Sequence, residues 1–126
     1  MIFSRIAIAL AVAACAPAAL LAQAVYGNIV GTVTDSTGAG VPKAKVTISD
    51  LGKGVSFTTA TNESGNYSQT HLIAGTYEVR VEAPGFQTYV RRNVGVEVDA
   101  TTQVDVQLSL GSVGEVVNVT AEAPLL

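Results

Sequence analysis

Gly75-Thr76-Tyr77-Glu78-Val79-Arg80-Val81-Glu82 puts Tyr77, Val79 and Val81 on one side of an extended chain and Glu78, Arg80 and Glu82 on the other. Successive side chains of a strand point to opposite faces, so this octet is a half-buried strand of the antiparallel kind. Pro84-Gly85-Phe86 stops it. The same alternation recurs upstream. Asn28–Asp35 carries Ile29, Gly31 and Val33 on one face, and Ala44–Asp50 carries Val46 and Ile48. Val55–Thr61 follows the Gly52-Lys53-Gly54 turn, and Tyr67–Leu72 is extended. Downstream, Val94, Val96 and Val98 alternate with Gly95, Glu97 and Asp99, and Val104, Val106, Leu108 and Leu110 alternate with Asp105, Gln107 and Ser109. Between the runs lie Asp35-Ser36-Thr37-Gly38 and Asn62-Glu63-Ser64-Gly65-Asn66, where Asp or Asn can fold back on the backbone and Gly can take positive φ. No stretch after Ala24 has helical spacing. The seven runs predict an all-β fold, a seven-stranded Greek-key β-sandwich over residues 25–111.

Outside that body the N-terminus is the most patterned segment. Met1–Arg5 carries one positive charge, Ile6–Leu21 is apolar and Ala-rich, and Ala22-Gln23-Ala24 supplies the small residues a signal peptidase admits. An apolar run of ~16 residues is short of the ~20 a spanning helix needs. Residues 1–24 are therefore expected to be a cleaved export signal, giving a periplasmic or outer-membrane-associated chain that starts at Val25. Nothing later is apolar enough to make a transmembrane helix. Val12-Ala13-Ala14-Cys15 also resembles a lipobox, which would acylate Cys15 and tether the domain to a membrane. The apolar stretch after Cys15 argues for ordinary cleavage instead.

Composition narrows the chemistry. Cys15 is the one cysteine and His71 the one histidine, and tryptophan is absent. After cleavage there is no thiol, and any metal site would have to be completed by scattered carboxylates, so no metal and no cofactor are expected. Asp35 and Asp50 sit at turns without the oxygen-dense spacing of a calcium loop. No Gly-x-Ser-x-Gly elbow is present, and no catalytic residue is expected. Seven basic and ten acidic residues give a net charge of −3. Both signs are interspersed, which leaves no basic patch for nucleic acid. The Asn-x-Ser/Thr triplets at Asn62, Asn66 and Asn118 are read as turn and strand chemistry.

Ile29-x-Gly31-x-Val33-x-Asp35-x-x-Gly38-x-x-Val41-Pro42-x-Ala44-x-Val46-x-Ile48 resembles the opening of the carboxypeptidase regulatory-like domain. Thr61-Asn62-x-x-Gly65-x-Tyr67, Leu72-x-x-Gly75-x-Tyr77-x-Val79-x-Val81 and Ala83-Pro84-Gly85-Phe86 resemble its later blocks. The resemblance implies a transthyretin-like sandwich without enzymatic activity. Behind an export signal, such a domain is similar to the N-terminal extension of TonB-dependent outer-membrane receptors of the Oar-like group. Residues 112–126 then form an extended tail after the Gly111-Ser112-Val113-Gly114 hinge. Within it Glu115-Val116-Val117-Asn118-Val119-Thr120-Ala121 resembles a TonB box, an unpaired segment that would pair with a sheet edge of a TonB-type periplasmic protein. The receptor plug and barrel are the other partners this implies. Neither follows before Leu126, so a fragment or truncated form of a larger receptor is the expectation. The alternative is a secreted carbohydrate-binding or adhesive module, for which Phe86 and Tyr89 are the candidate ligand patch, while Tyr67 and Tyr77 are read as core.

Overall fold

The computed structural model describes residues 25–111 and 116–120, so the export signal read over residues 1–24 lies outside the described residues. So do residues 112–115 and 121–126 of the tail. Among the described residues the regular elements are all strands: β1 (Tyr26–Thr34), β2 (Lys45–Asp50), β3 (Val55–Ala60), β4 (Asn66–Ile73), β5 (Gly75–Glu82), β6 (Thr88–Val96), β7 (Thr101–Gln103), β8 (Val106–Gln107) and β9 (Val116–Thr120). One sheet has the order β4-β1-β7, with β8 also on β1; the other runs β3-β2-β5-β6-β9. No helix among the described residues is long and apolar enough to cross a membrane.

The two sheets close on the residues that alternation places inward. Ile29 and Val33 of β1, Leu72 of β4, Val46 and Ile48 of β2, and Val79 and Val81 of β5 are fully buried, with Tyr67 and Tyr77 almost so. Each such aliphatic side chain stabilises the fold by about 1.5–3 kcal/mol through burial alone. The intervening polar residues stay at the surface, which is why the sheets pack through one face each.

Among the described residues the sandwich has nine strands where the sequence predicts seven; the two added strands are β7 and β9. Of these, β7 precedes the last alternating run, Val104–Leu110, rather than lying within it. The Thr32 amide, which would continue the ladder from β1, donates instead to Asp105 Oδ1 at 3.0 Å. Backbone bonds resume on both sides of that point, Val104 N to Val30 O at 2.8 Å and Leu108 N to Thr34 O at 2.7 Å. Strand β7 (Thr101–Gln103) thus ends before the predicted run and β8 (Val106–Gln107) falls within it, both parallel to β1. The other added strand is β9, from the tail.

β6 also departs from expectation. It begins at Thr88, and Val98 lies beyond its end, 49% exposed. Tyr77 pairs with Val94 but Val79 pairs with Arg91, so β6 carries one residue more than β5 between them. Asn93 takes φ 59° there. This bulge inverts the phase of the strand: Val94 and Val96 face the core after it, whereas Tyr89 and Arg91 do so before it. Leu110 is 75% exposed and forms a bridge to Phe86.

The turns follow the chemistry of their first residues. Asp35 Oδ1 accepts from the Thr37 amide at 2.8 Å, the Thr37 hydroxyl at 2.6 Å and the Ala39 amide at 3.2 Å. These bonds, that from the Thr37 hydroxyl first, hold its carboxyl below the usual range. Asn62 Oδ1 likewise accepts from the Ser64 and Asn66 amides. Gly65, at φ 83°, brings its backbone against Val33 and Gly40, which ties this turn to the end of β1.

Candidate partner-binding strand

The residues read as a partner-binding segment form an edge strand. Three contacts deliver the chain to it: Gln87 N donates to Ser109 O at 2.8 Å, Gly111 N to Gly85 O at 3.3 Å, and Phe86 bridges Leu110. These lay residues 109–111 beside the start of β6. Val116 then takes register with Thr88, and the pairs Tyr89–Val117, Val90–Asn118, Arg91–Val119 and Arg92–Thr120 follow in parallel. The segment is thus not free, as the TonB-box resemblance implies, but fully paired along one edge. A Val-rich run has the β propensity for it, and β6 offers an unpaired row of N–H and C=O groups that must otherwise face water. Glu115 and Ala121 of the same segment lie outside the described residues.

The pairing has two unlike faces. Register partners share a face, so Val117 and Val119 continue the face of Tyr89 and Arg91, while Val116 and Asn118 continue that of Thr88 and Val90. Thr88 and Val90 are buried, and Val90 lies outside the interior cluster. With β5 on one flank and β9 on the other, β6 is an interior strand of its sheet. Val116 and Val117 stay 44% and 38% exposed.

Arg91 is the polar residue that sequence reading passes over. Its Nε is buried without a hydrogen-bond partner, and its guanidinium charge reaches two phenols. Burial pushes the Tyr89 hydroxyl up and Arg91 draws it partly back. Burial, then the Asp105 carboxylate, raises the Tyr67 hydroxyl far above its ordinary value, again opposed by Arg91. Arg91-Arg92-Asn93 between two half-runs of opposite phase was the available signal of the bulge. Thr61 is a second such residue. Its buried hydroxyl donates to Val41 O at 2.6 Å and accepts from the Ala44 amide at 2.8 Å, joining the loop before β2 to the end of β3.

Phe86 and Tyr89 are both half-buried and pack against the interior cluster. The shallow depression nearby is lined by Glu82, Ala83, Pro84 and Thr88 rather than by either ring. His71 is exposed near the end of β4, its ring 5.5 Å from that of Tyr26 and its Nδ1 3.0 Å from the Thr70 hydroxyl. Asp35 and Asp50 lie at opposite ends of the sandwich, the former by the Asn66 end of β4 and the latter by Gly75. Asp50 is buried and bonds the Lys53 amide at 3.2 Å. Among the described residues no three His, Cys, Asp or Glu side chains are grouped to hold a metal.

The profile of the carboxypeptidase regulatory-like domain matches residues 28–109. The TonB-dependent transporter Oar of Myxococcus xanthus is 30% identical over 101 residues, which is 79% of this chain and 9% of the transporter. The chain thus spans less than a tenth of that relative's length. Among solved structures, a protein described as carbohydrate-binding from Bacteroides uniformis superposes with a TM-score of 0.53 at 22% identity, covering 64% of this chain and 40% of that one. Hydroxyquinol 1,2-dioxygenase of Pseudomonas putida gives 0.56 at 8% identity, covering 72% and 58%. These two share the sandwich and nothing finer, and a fold of this kind hosts unrelated functions.

Proposed function

Because this chain belongs to the carboxypeptidase regulatory-like domain family, we propose that it is a non-catalytic accessory module of an outer-membrane transport system. It is exported by residues 1–24, faces the periplasm, and acts by protein–protein contact through Glu115–Ala121. Its partner is a TonB-type periplasmic protein, with a receptor plug and barrel as the continuation it serves.

The observation that carries this reading is the 30% identity to a TonB-dependent transporter across 79% of the chain. The strand at the sheet edge supports it, since an extended Val-Val-Asn-Val-Thr segment is the form in which one chain adds to another's sheet. The carbohydrate reading has less behind it: Phe86 and Tyr89 pack on the core, and the sugar-binding neighbour is similar in fold alone.

The test is capture of a purified TonB-type periplasmic domain by the mature chain from Val25 onward, with and without Glu115–Ala121. Deletion is expected to reduce capture to background. Undiminished capture by the deleted form would remove the segment from the contact.

A further inference from the structure

We propose that the five-stranded sheet carries a small-molecule site that takes an apolar α-amino acid in its zwitterionic form. A cavity of about 230 Å³ opens where β5 begins. The β2–β3 turn lines it with Leu51 and Gly52, β5 with Thr76, Tyr77 and Glu78, and β6 with Arg92 and Asn93. That space falls below the roughly 300 Å³ at which pockets for drug-sized ligands begin, so the occupant is small.

The bulge in β6 builds the polar side of this cavity. Tyr77 pairs with Val94 and Val79 with Arg91, which leaves Arg92 and Asn93 together opposite Glu78. With Asn93 at φ 59°, both residues are exposed, and a bulge is a device that re-aims side chains in this way. Arg92 Nε stands 3.6 Å from Glu78 Oε1, beyond hydrogen-bond length, although the Glu78 side chain is only 17% exposed. Among the described residues no hydrogen bond engages the side chains of Glu78, Thr76 or Asn93. Acceptor and donor groups therefore face the cavity ready for a ligand.

The two charges decide the class of that ligand. Opposite charges 3.6 Å apart nearly cancel at a distance, so a lone cation or anion is attracted by one and repelled by the other. A molecule that carries both signs gains from each, its ammonium group on Glu78 and its carboxylate on Arg92. Leu51, exposed at the turn, adds an apolar wall that a hydrocarbon side chain can cover. The other ion pair at this corner does not compete. Asp50 is buried behind Gly52, bonded to the Lys53 amide at 3.2 Å and paired with Lys53 Nζ at 3.8 Å.

Amide chemical shifts of the mature chain, followed during titration, test this with three probes. They are L-leucine, 3-methylbutylamine and 4-methylpentanoate, the last two being leucine without its carboxylate and without its ammonium group. L-leucine is expected to shift the Thr76, Glu78, Arg92 and Asn93 amides saturably. Each single-charge analogue should bind about tenfold more weakly, the loss that goes with one charged contact. Glu78→Gln and Arg92→Gln should each weaken leucine binding by about the same factor while core amides such as Ile48 keep their shifts. An analogue that binds as tightly as leucine, or a variant that retains full leucine binding, would overturn the roles given to the two charges. No saturable shift at these four amides would remove the site altogether.

Discussion

Replacing Gly31 by alanine is expected to destabilise the domain by about 3–5 kcal/mol, from overpacking together with a disrupted buried hydrogen bond. Gly31 lies in the middle of β1, flanked by Tyr67 of β4 and by the Val104 segment that follows β7. The Tyr67 hydroxyl crosses over it to donate to Val104 O at 2.6 Å. A methyl on residue 31 would overlap the Val104 carbonyl oxygen, standing 2.7 Å from the carbonyl carbon and 2.8 Å from the Tyr67 hydroxyl. Two of these three atoms are backbone, so neither can swing aside. For a domain this size the loss corresponds to a fall of about 15–30 °C in melting temperature. Circular-dichroism melts of Gly31→Ala and Gly95→Ala make the comparison. Gly95, also in a strand, has open space where its methyl would go, and its variant should stay within about 0.5 kcal/mol of the parent. Equal melting of the two variants would refute the crossing.

The second large effect is at Tyr67 itself. Its ring is 4% exposed in the core and its hydroxyl is the partner of Val104 O. Tyr67→Ala is expected to cost about 3–5 kcal/mol through the cavity it opens. Tyr67→Phe keeps the ring and strands the carbonyl, which costs about 1–2 kcal/mol. The Gly31 and Tyr67 effects are not independent. In Gly31→Ala/Tyr67→Phe one of the clashing atoms is gone, so the double variant should lose about 0.5–1 kcal/mol less than the two singles together. Denaturant unfolding of the four proteins gives that difference directly. Strict additivity would show that the hydroxyl does not pass over residue 31.

Period-two alternation made β1, β2 and β5 legible, because each has one face in the core and one in water, and their inward residues can be named from the sequence. The turns at Asp35 and Asn62 were legible for a similar reason: the side-chain bonds there are local, within four residues of the acceptor. What escaped was long-range. The break between β7 and β8 depends on Asp105 meeting the Thr32 amide, 73 positions away in sequence. The phase inversion in β6 depends on an extra residue measured against β5. At the candidate site the extended character of residues 116–120 could be read, since valines favour it. Their docking could not, because a parallel partner leaves no mark on the strand that receives it. That docking matters to the functional reading, as it turns a supposedly free tail into the last strand of a sheet.

The proposed function assigns the partner contact to the segment that contains β9. The most direct measurement is site-specific photo-crosslinking in cells that export the chain, with the photoreactive residue in place of Asn118, which is exposed on β9, or of His71, exposed on β4 in the other sheet. An adduct with a TonB-type protein is expected from position 118 and none from position 71. An adduct from position 71 alone, or equal yields from both, would contradict it.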